Sequence, residues 1–283
     1  MSHLKITVLA ENTAGKLGIL GEHGLSFLIE TGGEKILFDT GQGFVLKHNL
    51  ETMGLTLADV KTVVLSHGHY DHTGGLHTAL EMMDKPSVYA HSDITEPKFV
   101  CYRDHGTRAV GMPETDRDAL LQQANWIHTE RPTKLPGGLR LTGPIPRSTS
   151  FENTGGPFFL DEGGTIPDFI EDDQSAFLET ENGTIVILGC AHSGIINTLK
   201  TIRRLTKRQP IHTVVGGMHL HSASKERMDK TVKALQKLNV RCIFPCHCTG
   251  LPAIARLYKE FPGTIHPCPA GTIISLNEGN SKS

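Results

Sequence analysis

The sequence contains no apolar run that approaches the length of a membrane span, and its first residues lack the apolar core of a signal peptide. It also has no excess of charge of either sign, since 28 Lys and Arg stand against 30 Asp and Glu. A whole-chain attraction to nucleic acid or to an anionic membrane is therefore not expected. We expect a soluble, cytoplasmic protein with neither kind of partner.

Paired cysteine motifs are missing as well. The six cysteines are scattered, and in a cytosolic chain we expect them to be reduced thiols. The segment Cys246-His247-Cys248 has a second interpretation as part of a structural zinc knuckle, but no second cysteine pair is present to complete one.

Alternating and helical spacings of apolar residues predict an α/β protein. Predicted strands cover 5–9, 26–30, 35–39, 60–65, 175–179, 184–188, 211–215, 240–244 and 272–276, and predicted helices cover 44–53, 75–83, 113–123, 195–205, 225–238 and 252–261. Strands followed by helices in both halves indicate two sheets packed face to face with helices outside. We expect one domain over 1–283, in which the irregular segment 91–156 is either an insertion that caps a site or a surface excursion.

The densest group of chemically active side chains is His67-Gly68-His69-Tyr70-Asp71-His72, directly after a predicted buried strand. A chain that leaves a strand and turns sharply can point alternate side chains at one spot, so His67 and His69 can share one metal. Asp71 and His72 can address a second. Imidazole and carboxylate together suit Zn²⁺, Fe or Mn²⁺ rather than Ca²⁺ or Mg²⁺.

Three later predicted strands also run into a histidine, namely His192, His219 and His247. The ends of strands form the edge of α/β architectures where ligands gather, so we expect these residues to converge on the first cluster. His192 and His247 are predicted metal ligands. For His219 a metal ligand and a structurally satisfied histidine remain alternatives.

Two carboxylates complete the candidate set. Asp39, at another strand end, is predicted to accept the distal N–H of a ligand histidine, unless it only ends the strand in a turn. Asp173, in an acidic run before the strand at 175–179, is either a further ligand or solvated surface.

With these motifs in place, the chain resembles the metallo-β-lactamase superfamily. The elements that carry the resemblance are Phe38-Asp39-Thr40-Gly41, the 67–72 motif, His192 and His247. It implies a four-layer αββα sandwich with two divalent metal ions, most simply zinc, with iron or manganese as alternatives. One ion would take His67 and His69, and the other Asp71, His72 and His247. Because Asp173 and Cys190-Ala191-His192 depart from the common pattern, the third ligand of the first ion and any bridging group stay open.

Four short segments resemble the dihydropterin synthase-like branch of this superfamily: Glu22-His23-Gly24-Leu25-Ser26, Gly189-Cys190-Ala191-His192-Ser193-Gly194, Gly217-Met218-His219-Leu220 and Pro245-Cys246-His247-Cys248-Thr249-Gly250. Its characterised archaeal enzyme joins a pterin pyrophosphate to a ribosyl aromatic acid in methanopterin biosynthesis. The resemblance implies a transferase with a small phosphorylated or pterin-like substrate, whose pyrophosphate leaving group the metals neutralise. Asp71, His23 and His219 are then catalytic candidates. Basic residues of the irregular segment are candidates for phosphate or carboxylate recognition, or else surface charges: Lys98, Arg103 and Arg147.

Two other functions fit the same residues. A metallohydrolase would use an activated water against a phosphoester, thioester or lactone. A non-catalytic redox or sensing protein would bind metal without turnover, although electron-handling relatives usually carry an additional flavodoxin-like domain. The sequence leaves the oligomeric state open, with a homo-oligomer as one option.

Overall fold

Two large β-sheets form the centre of the structure, a computed structural model that describes residues 3–102, 106–113, 120 and 122–277. The strands are β1 (His3–Ala10), β2 (Ser26–Thr31), β3 (Glu34–Phe38), β4 (Thr62–Val64), β5 (Ser87–Ala90), β6 (Phe99–Tyr102), β7 (Gly106–Ala109), β8 (Asn125–His128), β9 (Thr133–Lys134), β10 (Arg140–Leu141), β11 (Phe158–Phe159), β12 (Ala176–Thr180), β13 (Gly183–Leu188), β14 (Ile211–Gly217), β15 (Cys242–Cys246) and β16 (Ile273–Asn277). One sheet has the order β16-β1-β2-β3-β4-β5-β8, and the other β15-β14-β13-β12-β10-β9.

The strands have their apolar residues on both faces because both faces of each sheet are covered. In β13, Ile185 and Ile187 point into the core between the sheets, whereas Val186 and Leu188 point toward helices. Near-continuous apolar strands of this kind are typical of doubly covered parallel sheets. Pairing is parallel from β3 to β8 and from β13 to β15.

Helices cover the outer face of each sheet. They are α1 (Leu46–Thr52), α2 (Tyr70–Thr73), α3 (Leu76–Glu81), α4 (Ile195–Leu205), α5 (Lys225–Leu238) and α6 (Leu251–Glu260). One buried cluster joins α1 and α3 to the seven-stranded sheet, and another joins α4, α5 and α6 to the six-stranded sheet. The predicted four-layer αββα sandwich is confirmed.

The ends of α5 show why its sequence forms a helix there. The Ser224 hydroxyl caps the N-terminus by accepting from the Arg227 N–H, and Asn239 ends the helix in a left-handed conformation. The predicted bounds of α4 and α5 are confirmed residue by residue. Most of the helix predicted over 113–123 lies outside the described residues.

The segment 91–156 contains more regular structure than the sequence indicated. It supplies β8 to the edge of one sheet and β9 and β10 to the edge of the other, while β6 and β7 form a third, three-stranded sheet with β11. Its role as a cap, and the single-domain assignment, stay predictions. Within the described ranges, no helix combines the length and apolarity that a membrane crossing requires.

Candidate metal centre

Three of the predicted ligand histidines meet where β4 and β13 end. Nε2 of His67 lies 3.1 Å from Nδ1 of His69, and the His192 ring centroid lies 4.8 Å from each of the other two rings. One ring nitrogen from each of the three residues lies within 4.8 Å of a ring nitrogen of each of the other two. We call His67, His69 and His192 the three-histidine group.

Neighbouring atoms fix which nitrogens of this group are available. Nδ1 of His192 lies 2.8 Å from the Thr154 carbonyl oxygen, so this nitrogen carries the proton and donates it. Nε2 of His192 is then a free acceptor. This nitrogen is buried and has no hydrogen-bond partner among the described residues. Nε2 of His69 is also buried and also lacks a partner among them. Orphaned buried acceptors are expected where a cation binds.

A second group joins Asp71, His72 and His247. Nε2 of His72 and Nε2 of His247 lie 3.2 Å apart, and an Asp71 carboxylate oxygen lies 3.3 Å from Nε2 of His247. Nδ1 of His247 contacts the Asn12 side-chain oxygen at 2.7 Å, which places the His247 proton there and leaves Nε2 as the acceptor. We call Asp71, His72 and His247 the aspartate group.

Asp39 forms hydrogen bonds to the loop 66–72, which carries residues of both groups. Its carboxylate accepts from Nδ1 of His72 at 2.6 Å and from the backbone N–H and hydroxyl of Ser66 at 2.7 Å each. The Ser66 hydroxyl is also 2.9 Å from Nδ1 of His67. Asp39 therefore makes the contact expected of a carboxylate that orients a ligand histidine, and that role stays a prediction.

Four residues around the centre have left-handed backbone conformations that only glycine adopts easily: Asp39, Ala191, His219 and His247, with φ of 56°, 54°, 45° and 51°. All four lie at the ends of core strands or directly after them. Unfavourable backbone geometry persists where the surroundings enforce it, and it clusters at functional sites.

Cys190 lies between the two groups, and the sequence did not identify it as a ligand. Its sulfur is 3.1 Å from Nε2 of His72, and it forms close groups both with His67 and His72 and with His247 and Cys248. The sequence feature that could have identified Cys190 as a ligand is its position two residues before His192, in the turn that follows the same strand. A sulfur in this position can contact either metal position.

Burial and charge set the protonation of the two groups. Burial lowers the pKa of His69 to about 3 and moves the pKa of His67 and His192 well below the usual range. Burial alone would raise the pKa of Asp71, but the nearby imidazoles hold it well below its usual value. Neutral imidazoles and an ionised carboxylate are the forms that bind metal.

His72 differs from the other ligand candidates. Burial would lower its pKa, but the carboxylates of Asp39 and Asp71 outweigh burial and raise the pKa to about 9. The carboxylates of Asp39 and Asp71 thus supply negative charge at this point. Together with the orphaned nitrogens, this donor set of imidazole, carboxylate and thiol fits the binding of a transition metal.

A cavity of about 390 Å³ opens onto the centre. His219 is buried in its wall, with the ring centroid 4.2 Å from that of His192 and both ring nitrogens without a hydrogen-bond partner among the described residues. His23 lies at the more exposed side, with Nε2 3.2 Å from the Asp71 carboxylate. All three catalytic candidates from the sequence, Asp71, His23 and His219, thus line this cavity, as does Arg108, which the sequence did not single out.

Lys98 and Arg147 do not line the cavity, so the geometry does not support their predicted contact with substrate. The Lys98 ammonium is buried and pairs with Asp168 at 3.2 Å and Asp172 at 2.9 Å. The Arg147 guanidinium donates to the backbone carbonyls of His192 and Phe169. Lys98 is buried and Arg147 is exposed, and both bind to loops that lie beside the candidate ligands. The third basic candidate, Arg103, lies outside the described residues.

Asp173 is buried, but its carboxylate belongs to none of the close ligand groups found among the described residues. One oxygen accepts from the Ser193 backbone N–H at 2.8 Å and the other has no partner. Burial raises its pKa to about 6. The structure thus brings His192, and not Asp173, to the three-histidine group.

The fold and this centre define a class of protein that comparison with known families confirms. The model of the metallo-beta-lactamase superfamily matches residues 20–247, and the chain belongs to this superfamily.

Two relatives from Methanocaldococcus jannaschii match most of the chain. It is 32% identical to a 7,8-dihydropterin-6-methyl-4-(beta-D-ribofuranosyl)-aminobenzene-5'-phosphate synthase, over 98% of each protein. It is 34% identical to an uncharacterized protein, over 89% of this chain and 93% of that one. Among solved structures, Tm1679, a metal-dependent hydrolase of the beta-lactamase superfamily, is 33% identical with a TM-score of 0.83, covering 96% of this chain and 99% of that one.

Proposed function

We propose that this chain is a metal-dependent transferase that joins a pterin pyrophosphate to a phosphorylated ribosyl aromatic compound. The observation that carries the proposal is the similarity to the synthase over 98% of both chains. Two assembled ligand groups that open onto one cavity support it, because such a reaction needs a leaving anion and a second substrate at the same point.

The three-histidine group and the aspartate group would each hold one divalent ion, with zinc favoured by the donor set. When bound, such ions stabilise the charge of a departing pyrophosphate and help to orient both substrates. Asp39, Asn12 and the Thr154 carbonyl keep the ligand nitrogens directed inward.

The remaining cavity residues have roles that follow from their surroundings. His219 is buried and neutral because burial moves its pKa well below the usual range, and its ring nitrogens, which have no hydrogen-bond partner among the described residues, can bind substrate. His23 reaches Asp71 from the open side and is suited to exchange protons with solvent. Arg108 supplies the positive charge at the cavity wall that anionic substrates require.

Hydrolysis of a phosphoester, thioester or lactone is the second candidate. It is favoured by the similarity to Tm1679, whose TM-score of 0.83 spans nearly the whole chain. The same two groups and cavity would then serve a water nucleophile in place of the second organic substrate.

Metal analysis and a two-substrate assay separate these functions. We expect two metal ions per chain, and loss of one in each of His192→Ala and His247→Ala. His77→Ala is the matched control because His77 is half-exposed on α3, where it pairs with Glu81. Pyrophosphate release that requires both substrates supports the transferase. Turnover of a simple ester with an inert pterin pyrophosphate supports the hydrolase, and protein without transition metal would contradict both.

A further inference from the structure

A second cavity, of about 370 Å³, lies beside the one at the metal centre. Gly155 lines both cavities, so they lie on two sides of one loop. On one side Gly155 packs against the His219 ring, and on the other its carbonyl accepts from the Ser222 hydroxyl at 3.2 Å. A bound molecule that extends from the metal centre past this loop would reach the second cavity.

Arg227, in the wall of the second cavity, has a buried guanidinium with unused hydrogen-bond donors. The residue is 4% exposed, and no described carboxylate lies within ion-pair distance of it. One terminal nitrogen donates to the Asn153 side-chain oxygen at 2.6 Å. Nε and Nη2 have no hydrogen-bond partner among the described residues.

An arginine in this state is costly for the fold. Guanidinium stays charged in proteins, and a buried charge without a counter-charge is strongly unfavourable. Burial lowers the pKa of Arg227, and the nearby Glu152 carboxylate opposes this shift from a distance, since its oxygens accept from the backbone N–H groups of Ile196 and Asn197 at the start of α4. The guanidinium therefore has donors left for a second anion.

The start of α5 adds donors to the same cavity. Ser224 caps this 14-residue helix and lines the cavity together with Ser222. The first N–H groups of a helix have no partner within the helix, and its dipole favours negative charge at this end. A buried free guanidinium beside a helix N-terminus and two hydroxyls has the donor set for a phosphate group.

We propose that this second cavity binds the phosphate monoester of the substrate, with Arg227 and the N-terminus of α5 as its main contacts. The proposal rests on the proposed function for the identity of that substrate. The phosphate would anchor one end of the molecule while the other end lies at the metal centre.

Calorimetric binding of inorganic phosphate and of ribose 5-phosphate to the full-length protein, after chelator treatment, tests the site directly. We expect inorganic phosphate and ribose 5-phosphate to bind in the absence of metal, and ribose to show no binding. If the site binds a substrate, ribose 5-phosphate should bind more tightly than free phosphate. Arg227→Gln should weaken binding at least about tenfold, because charge-assisted hydrogen bonds are lost. Ser222→Asp places a carboxylate at an exposed position of the cavity and should weaken binding without a folding defect.

Arg204→Gln is the matched control, because Arg204 is exposed on α4 and lines neither cavity. In metal-loaded protein with both substrates, Arg227→Gln should raise KM for the phosphorylated substrate more than it lowers kcat. Either of two results would overturn the proposal. Phosphate could bind only to metal-loaded protein, or it could bind equally well to wild type, Arg227→Gln and Ser222→Asp. Binding that depends on Arg227 without any synthase turnover would refute the proposed reaction while supporting the phosphate site.

Discussion

Replacement of Lys98 by methionine tests whether a buried ion pair supports the metal-binding loop. The Lys98 ammonium is 2% exposed and contacts Asp172, which is fully buried, and Asp168, which is 6% exposed. The second oxygen of Asp172 accepts from the Gly68 backbone N–H at 2.7 Å, between the candidate ligands His67 and His69. Gly68 itself leaves no room for a side chain, because a Cβ there would lie 2.5 Å from the Ile94 carbonyl oxygen.

Methionine has a similar shape but no charge, so the variant leaves two buried carboxylates without a cation. Loss of one partner from a buried ion pair typically destabilises a protein by about 3–5 kcal/mol. Burial already raises the pKa of Asp172, and removal of Lys98 raises it further. A carboxyl whose folded pKa is raised contributes stability at low pH that is lost as the pH rises. The deficit of Lys98→Met should therefore be small near pH 4 and grow toward pH 7.

Urea unfolding of chelator-treated protein, at several pH values, measures this deficit without a contribution from metal binding. Combining Lys98→Met with Asp172→Asn should recover part of the loss, because the amide oxygen can still accept from Gly68. Lys61→Met is the control, since Lys61 pairs with Asp84 at 3.6 Å on the surface, and a change within about 0.5 kcal/mol is expected. A Lys98→Met protein with wild-type stability and a raised KM would refute the reasoning and restore Lys98 as a substrate contact.

Three further results are expected. Asp39→Asn should weaken metal affinity about 10–100-fold in competition with a chromophoric chelator, because the carboxylate that orients His72 is lost. Asp173→Asn should become more stable relative to wild type as the pH rises from 4 to 7, by up to about 3 kcal/mol, since burial raises the Asp173 pKa from 3.8 to about 6 and ionisation there costs stability. Gly155→Ala should lower both turnover and the unfolding temperature, because φ is +90° and the added methyl group would collide with the His219 ring.

The fold could be predicted where elements are long enough to show a period. α4 and α5 have 11 and 14 residues, and their apolar spacing and neighbouring Gly194 and Ser224 mark their bounds. The strands β9, β10 and β11 have two residues each, too few for any alternation to be visible. They form because a neighbouring strand offers free backbone groups, and the sequence does not show that proximity.

The site could be predicted where its residues are adjacent in sequence or follow strands. His67 to His72 form a local motif, and His192 and His247 were inferred from strand ends that parallel pairing brings to one edge. The surroundings of Lys98 and Arg147 could not be predicted, because a basic residue in an irregular segment looks the same in sequence whether it faces solvent or a buried carboxylate. Only tertiary structure shows that Lys98 meets Asp172, 74 positions later.

Charge distinguishes the two ligand groups, and this bears on the choice between transfer and hydrolysis. Three neutral imidazoles would leave the charge of a divalent ion undiminished, whereas the Asp71 carboxylate would offset part of it in the other group. Cys190 contacts both groups, so a thiolate there would lower the net charge at the point between them. With a divalent ion bound, the three-histidine group, which adjoins the cavity wall formed by His192 and His219, would therefore attract an anion most strongly. A highly charged leaving group such as pyrophosphate benefits most from that position, while a neutral ester or lactone gains less.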